Sequence, residues 1–151
     1  MRKNNVKITV IGLGYVGLPL TIEFSKYFSV VGFDLDVTRI KELKNGYDRT
    51  KELSKRQLQN TGNLILTSDL NKIKNSNVFI ITVPTPVNKN NIPDLNPLMK
   101  ASSMVGNVLK EKDLVIYEST VFPGATESIC VPILERDSGL KYKTDFFCGY
   151  S

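Results

Sequence analysis

Hydrophobic residues along the chain alternate between short β-branched runs and longer segments in which apolar positions recur three or four residues apart. Runs of the first kind indicate strands buried on both faces of a sheet, and the second pattern is typical of amphipathic helices. Alternating strands and helices predict an α/β fold, a doubly wound parallel sheet with helices on both faces. The predicted strands are Lys7–Gly12, Val30–Asp34, Leu64–Thr67, Val78–Val83, Leu114–Glu118 and Phe146–Gly149.

The predicted helices differ in how clearly their ends are marked. Asp36 is the expected N-cap of the second helix, and Asn96-Pro97 is a favourable start for a later one. Pro132 predicts a kink or an early break in the segment 126–134. The first helix is predicted to bury one stripe of residues at four-residue spacing, namely Val16, Leu20, Phe24 and Phe28.

Size and composition narrow the class of protein. With 151 residues, 41% of them hydrophobic and 23% charged, the chain has the size and composition of one globular domain. The sequence contains no histidine, which excludes a histidine base or metal ligand. Cys130 and Cys148 lack metal-binding spacing, so we expect two buried thiols, no metal and a cytoplasmic location.

The basic residues give a net charge of +5 but form no continuous block. No nucleic-acid motif accompanies them, so we expect a solvated surface with at most a mild attraction for phosphorylated ligands. The longest apolar runs have the length of a strand, far short of the roughly 20 residues that span a bilayer. Neither a nucleic acid nor a membrane is therefore an expected partner.

A glycine-rich turn carries the clearest chemical signal. Gly12, Gly14 and Gly17 form a G-x-G-x-x-G pattern that directly follows a predicted strand and opens a predicted helix. Gly12 permits the tight turn, Gly14 lets backbone amides approach a pyrophosphate, and Gly17 allows the helix to pack closely on the strand. The pattern in this context predicts a Rossmann-type dinucleotide-binding domain over residues 1–151, with the phosphates at the helix N-terminus.

The preferred dinucleotide follows from an acidic residue. Asp34 ends the second predicted strand, twenty residues after Gly14, where a carboxylate accepts hydrogen bonds from the adenosine ribose hydroxyls. The same carboxylate would repel a 2′-phosphate, so NAD is predicted rather than NADP. A glycine turn in an α/β protein that binds nothing is the alternative.

Three further residues are candidates by position. Arg39, one turn into the second helix, either lies over the adenine or is an ordinary exposed helix arginine. Thr85 and Thr120 lie in loops that leave the carboxyl ends of strands, where ligands bind in open α/β sheets. Their hydroxyls either contact the cofactor or a bound water, or belong to simple turns.

Several segments, taken in order, resemble the UDP-glucose/GDP-mannose dehydrogenase family. The sequences of the two loops after the fourth and fifth strands are more specific markers of this family than the glycines. They are most similar to the branch of the family that acts on UDP-N-acetylhexosamines for bacterial surface polysaccharides. The matching segments are Gly12–Gly17, Phe33-Asp34 with Arg39-Ile40, Val83–Pro86, Pro93–Leu95, Tyr117–Glu127 and Gly149–Ser151.

The resemblance implies an activity and a set of cofactor contacts. The family oxidises the C6 hydroxyl of a nucleotide sugar to a carboxylate in two NAD-dependent steps, through a cysteine nucleophile. Thr120 also matches the threonine that helps to hold a water near the reacting carbon, which gives it a catalytic role. The positions that match cofactor-contacting residues are Tyr15, Val16, Asp34, Arg39, Thr85 and Thr120.

The resemblance also implies what this chain leaves out. The family's catalytic cysteine, lysine and glutamate lie beyond Ser151, and neither Cys130 nor Cys148 matches the nucleophile. We therefore expect a chain that binds NAD without turnover, with the substrate bound by the missing domains of a homo-oligomeric full-length enzyme. The alternatives are a non-catalytic NAD-sensing module, a GDP-mannose dehydrogenase and a dehydrogenase of the β-hydroxyacid type.

Overall fold

The computed structural model describes residues 5–87, 93–119 and 124–150. Its six strands are β1 Lys7–Ile11, β2 Ser29–Phe33, β3 Leu64–Thr67, β4 Val78–Ile81, β5 Leu114–Tyr117 and β6 Phe147–Tyr150. They form one sheet in the order β3-β2-β1-β4-β5-β6, and every neighbouring pair is parallel. This is the strand order of the Rossmann fold, with the change of direction between β1 and β4. The predicted fold class and all six predicted strands are confirmed, with ends that differ by at most two residues.

The helices lie between these strands. Asp36 is the N-cap of the second one, as predicted, because its carboxylate accepts hydrogen bonds from the backbone N–H groups of Thr38 and Arg39 at 2.9 and 3.1 Å. Ser54 caps the short third helix. The bounds are α1 Gly17–Ser25, α2 Val37–Lys44, α3 Lys55–Gln59, α4 Asn96–Gly106 and α5 Val131–Ser138.

The buried face of α1 differs from the predicted stripe. Leu18 and Ile22 lie in the core, whereas Val16 is half exposed and the helix ends at Ser25, before Phe28. Residues four apart advance by about 400° on an α-helix, so such a stripe turns away from any fixed face by about 40° at each step. The start of α1 lies close to the ends of β1 and β4, where Gly17 has no side chain to keep it away.

Pro132 has a different effect from the predicted break. The helix continues past it to Ser138, so the early break is wrong, whereas the kink stays a prediction. The turn immediately before α5, Thr126–Cys130, is π-helical, and the N–H of Val131 bonds to the carbonyl of Thr126, five residues back. A proline lacks an N–H and its ring crowds the carbonyl four residues earlier, which explains why the turn widens there.

Hydrophobic cores lie on both faces of the sheet because side chains alternate along each strand. Val10 of β1 faces one core and Ile11 faces the other. The Ile11 side is covered by α4 and α5, and the other side is covered by the chain around α1 and α2. The sheet is thus buried on both faces, and its strands present their carboxyl ends at one shared edge.

Candidate cofactor-binding site

The glycine turn connects β1 to α1 at the carboxyl edge of the sheet. Gly12 has φ +96°, a backbone conformation that L side chains rarely adopt, and a Cβ there would lie 3.1 Å from the backbone nitrogen of Val83. The hydroxyl of Thr82, at the end of β4, lies 2.6 Å from the carbonyl oxygen of Gly12 and donates to it. This hydrogen bond ties the turn to the neighbouring strand, through a threonine that no sequence motif marks.

Gly17 is required by a close approach. A Cβ at this position would collide with the carbonyl oxygen of Gly12 and with the hydroxyl of Thr82. Neither neighbour can move easily, since one is backbone and the other is buried and hydrogen-bonded. The packing role predicted for Gly17 is confirmed.

Gly14 differs because its α-carbon faces open space. A Cβ built there meets no heavy atom of the described chain within 4 Å. The helix α1 begins three residues later, and no side chain caps its N-terminus. The N–H of Leu18 already donates to the carbonyl of Gly14 at 3.2 Å and Pro19 has no N–H, so an anion at this end is left the N–H groups of residues 15–17. Tyr15 and Val16 flank this opening with 69% and 50% of their surface exposed. These features leave room for a pyrophosphate beside the helix N-terminus.

Asp34 lies directly after β2, beside the glycine turn. One of its oxygens accepts the backbone N–H of Leu13 at 2.8 Å, and the other accepts the N–H of Asp36 at 2.9 Å. A carboxylate offers about four lone-pair positions, so both oxygens keep capacity for further donors such as ribose hydroxyls. The two backbone bonds also orient the carboxylate before any ligand arrives.

Arg39 is buried, and the exposed helix arginine considered from the sequence is wrong. Its Nε donates to the carbonyl of Leu13 at 2.9 Å, and its Nη2 donates to Asp48 at 2.8 Å. Its Nη1 is the single buried side-chain nitrogen or oxygen without a hydrogen-bond partner within the described ranges. Arg39 and Asp34 thus hold the C=O and the N–H of the same residue of the glycine turn.

A small apolar cavity of about 250 Å³ opens between the ends of β1 and β2 and the start of α4. Asp34 stands in its wall, and Leu35 and Met104 contribute apolar surface. The helix α4 contributes residues one turn apart, Pro97 and Ala101 among them. The size and the largely apolar lining suit a planar heterocycle such as adenine, and the sequence did not identify α4 as part of the site.

The loops after β4 and β5 meet at the same edge. Ser119, at the end of the described part of the second loop, donates its hydroxyl to the carbonyl of Val83 at 3.0 Å. Thr85 is partly buried in the first loop, where its cofactor role stays a prediction. Thr120 lies outside the described residues.

The cysteines lack the environment of a nucleophile. Cys130 is fully buried and Cys148 is partly buried. Burial raises the pKa of the Cys130 thiol, and the same cause raises the pKa of Cys148 to about 12. Reactive cysteines have lowered pKa values, so both thiols stay protonated and unreactive near neutral pH.

Three or more metal-ligating side chains do not come together anywhere in residues 5–87, 93–119 and 124–150. The helices within those ranges are all too short or too polar to cross a bilayer.

The described residues fit a dinucleotide in three independent respects. Gly14 leaves an open cradle at a helix N-terminus, Asp34 keeps acceptor capacity at the end of β2, and the apolar cavity lies beside that carboxylate. Each feature matches the chemistry of a different part of a dinucleotide, respectively the pyrophosphate, the ribose and the adenine.

Comparisons with known proteins agree with this geometry. A family model described as the UDP-glucose/GDP-mannose dehydrogenase family, NAD binding domain, matches residues 6–150. The chain is 54% identical to a UDP-N-acetyl-D-glucosamine 6-dehydrogenase of Pseudomonas aeruginosa over 97% of its own length, and 55% identical to that of Salmonella typhi over 98%. It spans 35% of the length of each of these relatives.

Solved structures show the same likeness. A UDP-D-ManNAc dehydrogenase of Pyrococcus horikoshii is similar with a TM-score of 0.89 at 38% identity, covering 96% of this chain and 35% of that protein. A GDP-mannose dehydrogenase of Pseudomonas aeruginosa, solved as a ternary complex, is similar with a TM-score of 0.87 at 32% identity, covering 95% and 35%. The resemblance extends over nearly the whole chain and about a third of each solved protein.

Proposed function

This chain belongs to the UDP-glucose/GDP-mannose dehydrogenase family, and from that premise we propose that it serves as the NAD-binding domain of a nucleotide-sugar 6-dehydrogenase. The glycine turn carries the proposal, because Gly14 keeps the space for a pyrophosphate while Asp34 and Arg39 hold the adjoining Leu13 from both sides. When bound, NAD accepts a hydride from the substrate. The chain's own residues bind and orient it.

Separate residues hold the parts of the cofactor. The backbone N–H groups of Tyr15, Val16 and Gly17, where the turn leads into α1, bind the pyrophosphate. Asp34 accepts the ribose hydroxyls and disfavours a 2′-phosphate, while the cavity below Leu35 takes the adenine. Thr85 and Thr120 provide hydroxyls on the nicotinamide side, and Thr120 also helps to hold a water near the reacting carbon.

The proposed substrate is a UDP-N-acetylhexosamine, whose C6 hydroxyl is oxidised to a carboxylate in two NAD-dependent steps for surface polysaccharide synthesis. The support is the gradation in similarity, from 54–55% identity with two UDP-N-acetyl-D-glucosamine 6-dehydrogenases to 32% with a GDP-mannose 6-dehydrogenase.

A homo-oligomeric enzyme is proposed, and two free cysteines favour the reducing cytoplasm as its location.

The proposed reaction is tested by expressing the complete reading frame that encodes this chain. We expect NADH to form with a UDP-N-acetylhexosamine, with two NADH per sugar oxidised and little reaction with GDP-mannose. Faster turnover of GDP-mannose would overturn the proposed substrate, and an enzyme that uses NADP as well as NAD would overturn the role of Asp34.

A further inference from the structure

The loop that follows α2 is built around one buried carboxylate. The side chain of Asp48 has 0% of its surface exposed. Its oxygens accept the backbone N–H groups of Thr50, Glu52 and Leu53, each at 3.0 Å, and the hydroxyl of Thr50 at 2.7 Å. These bonds fix the carboxylate in one place and orient it towards Arg39.

Arg39 connects this carboxylate to the glycine turn. The guanidinium lies 2.8 Å from Asp48 through Nη2 and 2.9 Å from the carbonyl of Leu13 through Nε, and only 4% of the arginine side chain is exposed. Leu13 stands between the first two glycines of the motif, and Asp34 holds its N–H. A continuous set of hydrogen bonds therefore runs from Asp48 to the peptide groups that form the pyrophosphate cradle.

The orientation of Arg39 depends on both ends of this set. An arginine side chain has several rotatable bonds, and its planar group points in a defined direction only when at least two acceptors hold it. A buried guanidinium without a counter-ion is strongly unfavourable and would move towards water. Loss of the Asp48 charge would therefore release Nε from the Leu13 carbonyl.

We propose that Asp48 is a positioning residue for the dinucleotide site, which it orders through Arg39 and the carbonyl of Leu13. The inference rests on the proposed function in that the ligand is NAD. Asp48 itself touches no part of the cofactor. Its effect on affinity comes from preparing the glycine turn before binding, which reduces the ordering that the ligand must impose.

The test compares three variants of the chain. Asp48→Asn keeps the shape of the side chain but removes the charge. Thr50→Val removes one hydroxyl that donates to Asp48 at 2.7 Å and accepts from Nη2 of Arg39 at 3.5 Å. Leu109→Ala is the control, since it deletes buried surface near the amino end of β5, whereas the glycine turn lies at the carboxyl edge of the sheet. NAD affinity is measured by calorimetry, and the Leu13 amide and Arg39 Nε–H signals are measured by NMR without NAD.

We expect Asp48→Asn to weaken NAD binding about tenfold, the loss associated with one well-placed hydrogen bond, and Thr50→Val to weaken it about threefold. Both should shift the Leu13 and Arg39 signals. The control should lower thermal stability while leaving affinity and both signals unchanged.

Other results separate the two claims. NAD binding at the parent affinity in Asp48→Asn, or equal weakening in Leu109→Ala, overturns the positioning role. A folded parent chain that binds no NAD overturns the proposed function. In that case the NMR signals alone decide whether Asp48 orders the turn. Leu13 and Arg39 signals that do not shift in Asp48→Asn would refute the positioning role. If Asp48→Asn does not fold, Thr50→Val decides the question by the same criteria.

Discussion

Two glycines of the same turn should respond in opposite ways to the same substitution. Gly17→Ala places a Cβ against the carbonyl oxygen of Gly12 and the hydroxyl of Thr82, neither of which can yield without moving the turn or β4. Gly14→Ala places a Cβ in open space, and the backbone of Gly14 lies outside the left-handed region. The first change perturbs the fold, whereas the second perturbs only the space for the ligand.

The magnitudes follow from these environments. Overpacking a rigid site costs about 1–3 kcal/mol, and the contact with backbone puts Gly17→Ala at the upper end, about 3 kcal/mol. For a domain of this size, that loss lowers the Tm by roughly 6–12 °C. Gly14→Ala should change stability by less than about 1 kcal/mol, with a gain possible because alanine restricts the unfolded chain. Its affinity for NAD should fall at least about tenfold, because the methyl group fills the pyrophosphate cradle.

The assay combines a thermal melt with an NAD titration for the two variants and the parent chain. Each variant serves as the control for the other, because the same methyl group is added in the same turn. A Gly14→Ala variant that melts like the parent and binds NAD equally well would refute the placement of the pyrophosphate. A Gly17→Ala variant as stable as the parent would refute the close approach of α1 to the turn.

Thr82→Val should cost about 1–2 kcal/mol of stability, because the carbonyl of Gly12 loses its donor at 2.6 Å. Thr82→Ser keeps the hydroxyl and should retain most of the parent stability. Denaturant titration measures the stability of both variants. Burial would raise the pKa of Asp48, but hydrogen bonds from neighbouring groups outweigh it and lower the pKa from 3.8 to about 2. The lowered pKa stabilises the fold by about 2 kcal/mol above roughly pH 4, and this contribution is lost as the pH falls towards 2. Urea melts at several pH values measure this loss. Because burial raises their pKa values, Cys130 and Cys148 should react slowly with iodoacetamide near pH 8 in the folded chain and rapidly in urea.

Each of these predictions has a contrary outcome. Equal stability of the valine and serine variants at position 82 would mean that the hydroxyl does not support the turn. An Asp48→Asn variant with the same acid dependence as the parent would place the titration elsewhere. Alkylation of either thiol in the folded chain at the rate seen in urea would contradict its burial.

Much of the fold followed from local pattern. The strands were predictable because a run such as Val78–Ile81 is apolar at every position, which suits only a strand covered on both faces. The cap of α2 was predictable because the Asp36 carboxylate bonds to N–H groups two and three residues ahead. The buried face of α1 was not predictable from four-residue spacing, because such a stripe drifts around the helix and leaves out Leu18 and Ile22, which lie in the core.

The candidate site also contains residues that a local motif predicts and residues that no motif predicts. Gly12, Gly14 and Asp34 were identified because each satisfies a local backbone or charge requirement that a short motif records. Asp48 was missed because its importance depends on a buried pairing with Arg39, nine residues earlier, and no motif records such a pairing. The apolar cavity was missed because α4 joins it only through the strand order of the sheet.

Calorimetric titration decides whether this chain binds NAD through the glycine turn and Asp34. NADP is the ligand control. The variant control for Asp34→Ala is Asp145→Ala, in the turn before β6. Both substitutions remove a carboxylate that accepts a backbone N–H. We predict micromolar to low-millimolar affinity for NAD, weaker binding of NADP, loss of binding in Asp34→Ala and parent affinity in Asp145→Ala. A folded chain that binds neither dinucleotide, or that binds NAD equally well without Asp34, would contradict the account.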